Sequence, residues 1–148
     1  MKTAGLNLIV VSNRPLSYSN DQASTLRILH LEDNLQDAEQ VAWTLDAAAI
    51  PCEITRVEDE QTFAAALRRG GFDLILADSG VPGFSSLTAL KMAREAHHRA
   101  PFVFLTGHHG PEHRAKAKRL GAADFLSKDH RIQLLFLVHG LYQRKQRD

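Results

Sequence analysis

The chain has 148 residues, 44% of them hydrophobic, which suits one domain with a core of its own. A formal charge of +1 excludes a strongly basic nucleic-acid binder, and no stretch approaches the ~20 apolar residues of a membrane span. The single cysteine, Cys52, cannot close an internal disulfide, and the short apolar run near the N-terminus is broken by Asn7 and lacks a small-residue cleavage site. The expectation is a soluble cytoplasmic protein without direct nucleic-acid or membrane contact.

Residues 1–25 stand apart as an N-terminal extension: Leu8 to Val11 suits a short strand, and Pro15 to Thr25 has the composition of a linker. From residue 26 to 148 a repeating pattern follows. Leu26 to Leu31 reads as a strand ending in Glu32-Asp33. Asn34 is placed to cap the next helix, with Asp37 as its N3 partner, and Ala38, Val41, Ala42, Leu45 and Ala49 recur at helical spacing until Pro51. Cys52 to Val57 alternates as a second strand, and Phe63, Ala64, Ala66 and Leu67 mark a second helix closed by Gly70-Gly71.

Phe72 to Ala77, apolar but for Asp73, runs into Asp78, which suits a central strand buried on both faces. Ser85 or Ser86 caps a third helix carrying Leu87, Leu90 and Ala93. Pro101 to Leu105 is a fourth strand ending at Thr106-Gly107, and a helix from about Pro111 to Leu120 closes at Gly121. Ala123 to Ser127 is a fifth strand ending at Lys128, and a last helix runs from about Arg131 to Gln146. Five strands alternating with five helices predict an α/β fold, a five-stranded parallel sheet with helices on both faces and right-handed crossovers.

In such folds ligands lie beyond the carboxyl ends of the strands. The strands deliver Glu32 and Asp33, Asp78, Thr106 and Lys128 to that edge. Two carboxylates at ~4 Å and an effective dielectric near 20 repel by on the order of 4 kcal/mol, so such a cluster takes up a proton or binds a cation. All-oxygen ligands favour a hard ion, and Mg2+ fits a few carboxylates, a backbone carbonyl and retained waters. An aspartate held there is a plausible nucleophile for making an acyl phosphate, Lys128 brings a mobile positive charge, and Thr106 brings a hydroxyl beside the open space at Gly107. Taken singly, the acids better suit turns or caps, and a lone threonine or lysine a solvated position. The inference rests on four strands ending in one complementary set.

Glu32-Asp33, Asp78 with Pro82 four residues later, Thr106-Gly107, and the run Gly121 to Lys128 resemble the signature of response-regulator receiver domains, over Leu26 to about Arg144. The resemblance implies a flavodoxin-like sheet in strand order 2-1-3-4-5 and a place in phosphorelay signal transduction. It makes Asp78 the phospho-acceptor, facing a histidine kinase or histidine phosphotransfer protein. Glu32, Asp33, Asp78 and the backbone carbonyl of Gly80 become the Mg2+ ligands. Thr106 becomes the switch hydroxyl, Phe125 the switch aromatic and Lys128 the phosphate-pairing lysine. The fourth and fifth helices with the fifth strand become the surface that changes on phosphorylation. The implied module is an acceptor that catalyses only its own phosphorylation and dephosphorylation, and is no enzyme in the ordinary sense.

Where receivers usually carry Lys-Pro, this chain has Lys128-Asp129. A cis bond without proline costs roughly 3 kcal/mol, so a trans peptide is expected. Phe125 also suits an ordinary core aromatic. The last helix, with Leu134 to Val138, Leu141 and Tyr142, has more apolar surface than one packed face needs, and is either well covered by its neighbours, a homodimer or partner surface, or the start of a connecting helix to an output domain. His109 and His113 have the one-turn spacing of a metal pair, without a third ligand at recognisable spacing; solvated positions suit them, and His97, His98 and His108, better. The alternative to phospho-acceptance is a receiver-like interaction module that is not phosphorylated in the cell. A dinucleotide enzyme would need a glycine-rich turn where Glu32-Asp33-Asn34 stands, and a phosphatase with an aspartate nucleophile would need an acid where Gly80 stands.

Overall fold

The computed structural model describes residues 7–11, 25–96, 99–107 and 111–147. Six strands, β1 (Asn7–Val11), β2 (Leu26–Leu31), β3 (Cys52–Val57), β4 (Leu74–Asp78), β5 (Phe102–Thr106) and β6 (Asp124–Ser127), form one sheet in the order β1-β3-β2-β4-β5-β6. Helices α1 (Leu35–Ala47), α2 (Glu60–Arg69), α3 (Ser86–Ala96), α4 (Pro111–Arg119) and α5 (Arg131–Arg147) alternate with β2 to β6. The five strands from β2 onward are all parallel, in the expected order 2-1-3-4-5 when numbered among themselves. β1 adds a sixth, antiparallel strand along β3, with Ile9 opposite Ile54. It covers backbone groups that an edge strand would otherwise present to other chains.

Strand residues alternate between two cores. Leu29, Leu31, Ile75, Ala77, Phe104 and Phe125 pack with Phe63, Phe84, Leu90 and Ala117, which lie on α2, α3, α4 and the loop before α3. Leu26, Ile28, Leu74, Leu76, Val103 and Leu126 pack on the other face with Leu45 of α1 and Leu134 and Val138 of α5. The central strand β4 is buried at all five positions, its apolar run Leu74 to Ala77 together with Asp78. Cys52 is fully buried in the second core, and burial pushes its thiol pKa up to about 12.

The helices start where their caps direct. Asn34 Oδ1 accepts from Asp37 N at 3.0 Å, and Asp59, which the periodicity did not single out, forms a reciprocal capping box with Thr62 on α2. For α3, Ser85 Oγ accepts from Leu87 N at 3.2 Å. Two residues past the end of α4, Gly121 has a φ of +102°, which suits glycine, and a Cβ there would run into the Arg94 guanidinium that donates to the Gly121 carbonyl at 3.0 Å. Among the described residues no helix is long and apolar enough to cross a membrane.

Candidate acidic site at the strand ends

The site forms where the chain leaves β2 and β4 in opposite directions. From β2 it passes through α1 to β3 on one side, and from β4 through α3 to β5 on the other, which makes this edge the switch point of the sheet. Register then decides which side chains meet. Leu31 pairs with Ala77, so Glu32 emerges beside Asp78. Lys128 N donates to the Thr106 carbonyl at 2.9 Å, continuing the β5–β6 ladder and bringing the lysine out next to Thr106.

Glu32, Asp33 and Asp78 each offer a carboxylate oxygen, all within 4.8 Å of one another. Glu32 is only 1% exposed and Asp78 is buried, whereas Asp33 lies open to solvent. Burial, and then the charge of Asp78, push the Glu32 carboxyl up to about 7 against the opposing pull of Lys128. Three hard oxygen donors that repel one another, two of them desolvated, fit a small divalent cation.

Lys128 Nζ lies 2.9 Å from Glu32 Oε1, 2.7 Å from Asp37 Oδ2 and 3.3 Å from Asp78 Oδ1. Burial works against its charge, but the hydrogen bonds to Asp37 and Glu32 and the nearby carboxylates outweigh it and raise its pKa. The structure thus brings Glu32, Asp33, Asp78 and Lys128 to one place. Thr106 stands at the end of β5, buried, and Ser79 Oγ donates to its Oγ1 at 2.7 Å. Phe125 is buried on β6, its ring 5.6 Å from that of Phe104. Gly80 lies in the turn after β4, where a Cβ would stand 3.7 Å from Asp78 Oδ2. The Lys128–Asp129 peptide is trans, and Asp129 N donates to Ser127 Oγ at 3.2 Å in the turn that follows β6. His97, His98, His108 and His109, with the side chain of His113, lie outside the described residues.

Four participants escaped the sequence reading. By its position Asp37 suits the N3 partner of the helix cap, but the reciprocal bond of that cap is made by Glu32, whose Oε2 accepts from Asn34 N at 3.3 Å. The Asp37 carboxylate is turned to Lys128 instead. Arg56, buried near the end of β3, donates to the carbonyls of Glu32 and Asp33, each at 2.9 Å. A lone arginine in an alternating strand was the available signal. Ser79 stood next to Asp78 without a visible partner. His30 lies fully buried beneath the acidic turn, with neither ring nitrogen hydrogen-bonded, and burial lowers its pKa to about 4.

A profile of the response regulator receiver domain matches residues 28–138. The chain is 29% identical to the transcriptional regulatory protein FixJ of Bradyrhizobium diazoefficiens over 98 residues, 66% of this chain and 47% of FixJ. Its fold is similar to that of the Francisella response regulator 1452 receiver domain, with a TM-score of 0.71 and 20% identity over 81% of this chain and 98% of that one. It is also similar to the receiver domain of the sensor histidine kinase PA1611 from Pseudomonas aeruginosa, solved with a magnesium ion coordinated in its active-site cleft, with a TM-score of 0.68 and 23% identity over 80% and 98% of the two chains. The chain spans about half or less of the length of the curated relatives it matches. A match over three quarters of the residues, on a sheet whose switch point gathers acids and a lysine, places the chain in the response regulator receiver domain family.

Proposed function

We propose that this receiver domain accepts a phosphoryl group on Asp78 from a histidine kinase or histidine phosphotransfer protein. One observation carries the reading: Asp78 shares a cluster of three carboxylates within 4.8 Å and has the Lys128 ammonium 3.3 Å from its Oδ1. The bond from phosphorus to the donor's imidazole nitrogen breaks as a bond from an Asp78 carboxylate oxygen to phosphorus forms, and the imidazole leaves to be protonated by solvent. Mg2+ held by Glu32, Asp33, Asp78 and the Gly80 carbonyl would neutralise charge and orient the phosphoryl oxygens. Lys128 pairs with the transferred group, and Thr106 donates its hydroxyl to it while Ser79 supports the Thr106 oxygen.

The chain is an acceptor that turns over only its own phosphoryl group, in the cytoplasm. Movement of Thr106, with Phe125 following, would bias the α4–β6–α5 surface between two arrangements. A second copy docking through α5 is supported by Ile132 and Phe136, 68% and 76% exposed, beside a groove of about 250 Å3 lined with Ala48, Ile50 and Leu135.

The test is incubation of the chain with a small phosphodonor and Mg2+, followed by intact-mass measurement. Wild type is expected to gain one phosphoryl group and Asp78→Asn none. A wild type that stays unmodified, or an Asp78→Asn variant labelled equally, overturns the reading and favours a binding module that is not phosphorylated.

A further inference from the structure

We infer that Asp37 is a positioning residue that holds Lys128 and competes with the phosphoryl group for its charge. The inference rests on the acceptor role proposed for Asp78. An acid at the third position of a helix usually bonds back to the N–H of its cap residue. Here Glu32 Oε2 takes that N–H, at 3.3 Å from Asn34 N, and Asp37 is spared. Its carboxylate instead makes the shortest contact of Lys128, 2.7 Å, against 2.9 Å to Glu32 and 3.3 Å to Asp78. An ammonium has three protons, and three carboxylates surround this one.

The three partners differ in what else they can bind. Glu32 and Asp78 belong to the trio that fits a divalent cation, together with Asp33; Asp37 lies outside it. When a cation shares the oxygens of Glu32 and Asp78, Asp37 is the partner left wholly to Lys128. The lysine therefore stays in the site, but a phosphoryl group on Asp78 has to draw it away from Asp37 or share it. A charge at residue 37 thus sets how much of the lysine the phosphoryl group obtains.

Beryllium trifluoride, which mimics a phosphoryl group on a carboxylate, provides the probe. Its affinity for the full chain is measured by 19F NMR titration at saturating Mg2+, for wild type, Asp37→Asn, Asp37→Glu and each in a Lys128→Ala background. Asp37→Asn is expected to bind it about threefold to tenfold more tightly, the size of one partly exposed ion pair. Asp37→Glu returns affinity toward the wild-type value, and the gain disappears in Lys128→Ala, which shows that residue 37 acts through the lysine. A merely structural role for Asp37 predicts weaker binding in Asp37→Asn. Unchanged or weaker binding there, or a gain that persists in Lys128→Ala, overturns the inference while leaving the acceptor reading intact. A wild type that binds no beryllium trifluoride at Asp78 overturns both.

Discussion

Arg56 Nε donates to the Glu32 carbonyl at 2.9 Å, and the same guanidinium reaches the Asp33 carbonyl with its NH2 group, also at 2.9 Å. The acidic turn after β2 is therefore held by the neighbouring strand β3, with the positive charge placed behind two carboxylates that point to the strand-end edge. Glu58 takes a further contact at 3.5 Å on the exposed side.

Replacing Arg56 by methionine keeps much of the packing and removes both donors. Two carbonyls lose their partners in a partly buried turn, at a cost of about 2–3 kcal/mol in urea unfolding. Because residues that orient metal ligands typically contribute 10–100-fold in affinity, Mg2+ binding by calorimetry is expected to weaken by about tenfold or more. Equal Mg2+ affinity in the variant would show that the turn keeps its shape without Arg56.

His30 makes stability depend on pH in a direction that follows from its surroundings. Its pKa is about 4 in the fold against an ordinary 6.5, so between those values the unfolded chain binds more protons. The folded state is then free of this penalty above pH 6.5 and loses stability as pH falls toward 4. Glu32 acts oppositely: its carboxyl, raised to about 7 from 4.5, favours the fold at low pH and loses that advantage as pH rises from 4.5 to 7. The two slopes offset each other in wild type. In His30→Leu only the Glu32 slope remains, so its stability relative to wild type should improve by about 3 kcal/mol between pH 6.5 and pH 4. Urea unfolding of both proteins across that range measures the difference, and a constant offset would contradict the assignment.

Gly80→Ala tests access to the acceptor. The added methyl would stand 3.7 and 3.8 Å from the two Asp78 carboxylate oxygens, in ordinary contact. The variant should therefore fold normally and shield the acyl phosphate from attacking water. Loss of the phosphoryl group, followed by intact mass after removal of the phosphodonor, is expected to slow several-fold, on the order of 1 kcal/mol of barrier. An unchanged or faster loss would place the attacking water on another side of Asp78.

At the opposite end of the sheet, Asp73 Oδ2 accepts from Arg27 N at 2.8 Å and from Lys145 Nζ at 2.7 Å, while Lys145 also donates to the Thr25 carbonyl at 2.9 Å. This ties the last turn of α5 to the start of β2. Asp73→Ala should cost about 1–2 kcal/mol and remove amide-exchange protection around Lys145, with protection at Leu134 and Val138 retained. Retained protection at Lys145 would mean that packing alone holds the end of α5.

The burial pattern of the elements was legible because it depends on local arrangement. The unbroken run Leu74 to Ala77, bounded by turn residues, suits a strand covered on both faces, and the alternation of Cys52 to Val57 reports a strand nearer an edge. The strand Leu8 to Val11 was also visible, but its antiparallel seat on β3 was not, since nothing local specifies which edge a detached strand joins. On the last helix, the surplus of apolar residues resolves in space. Leu134 and Val138 face the sheet, and Ile132 and Phe136 face outward.

For the site, the chain order of acids, hydroxyl and lysine sufficed to name Glu32, Asp33, Asp78, Thr106 and Lys128, because each closes a strand and parallel strands end at one edge. Asp37, Arg56 and Ser79 came only from three dimensions. Asp37 meets Lys128 across 91 positions of sequence, and its position at N3 suits a capping role that Glu32 takes in the fold. Hydrogen bonds and ion pairs act within about 3–4 Å, so a choice between two partners of the same type is made by packing and register, which periodicity does not encode.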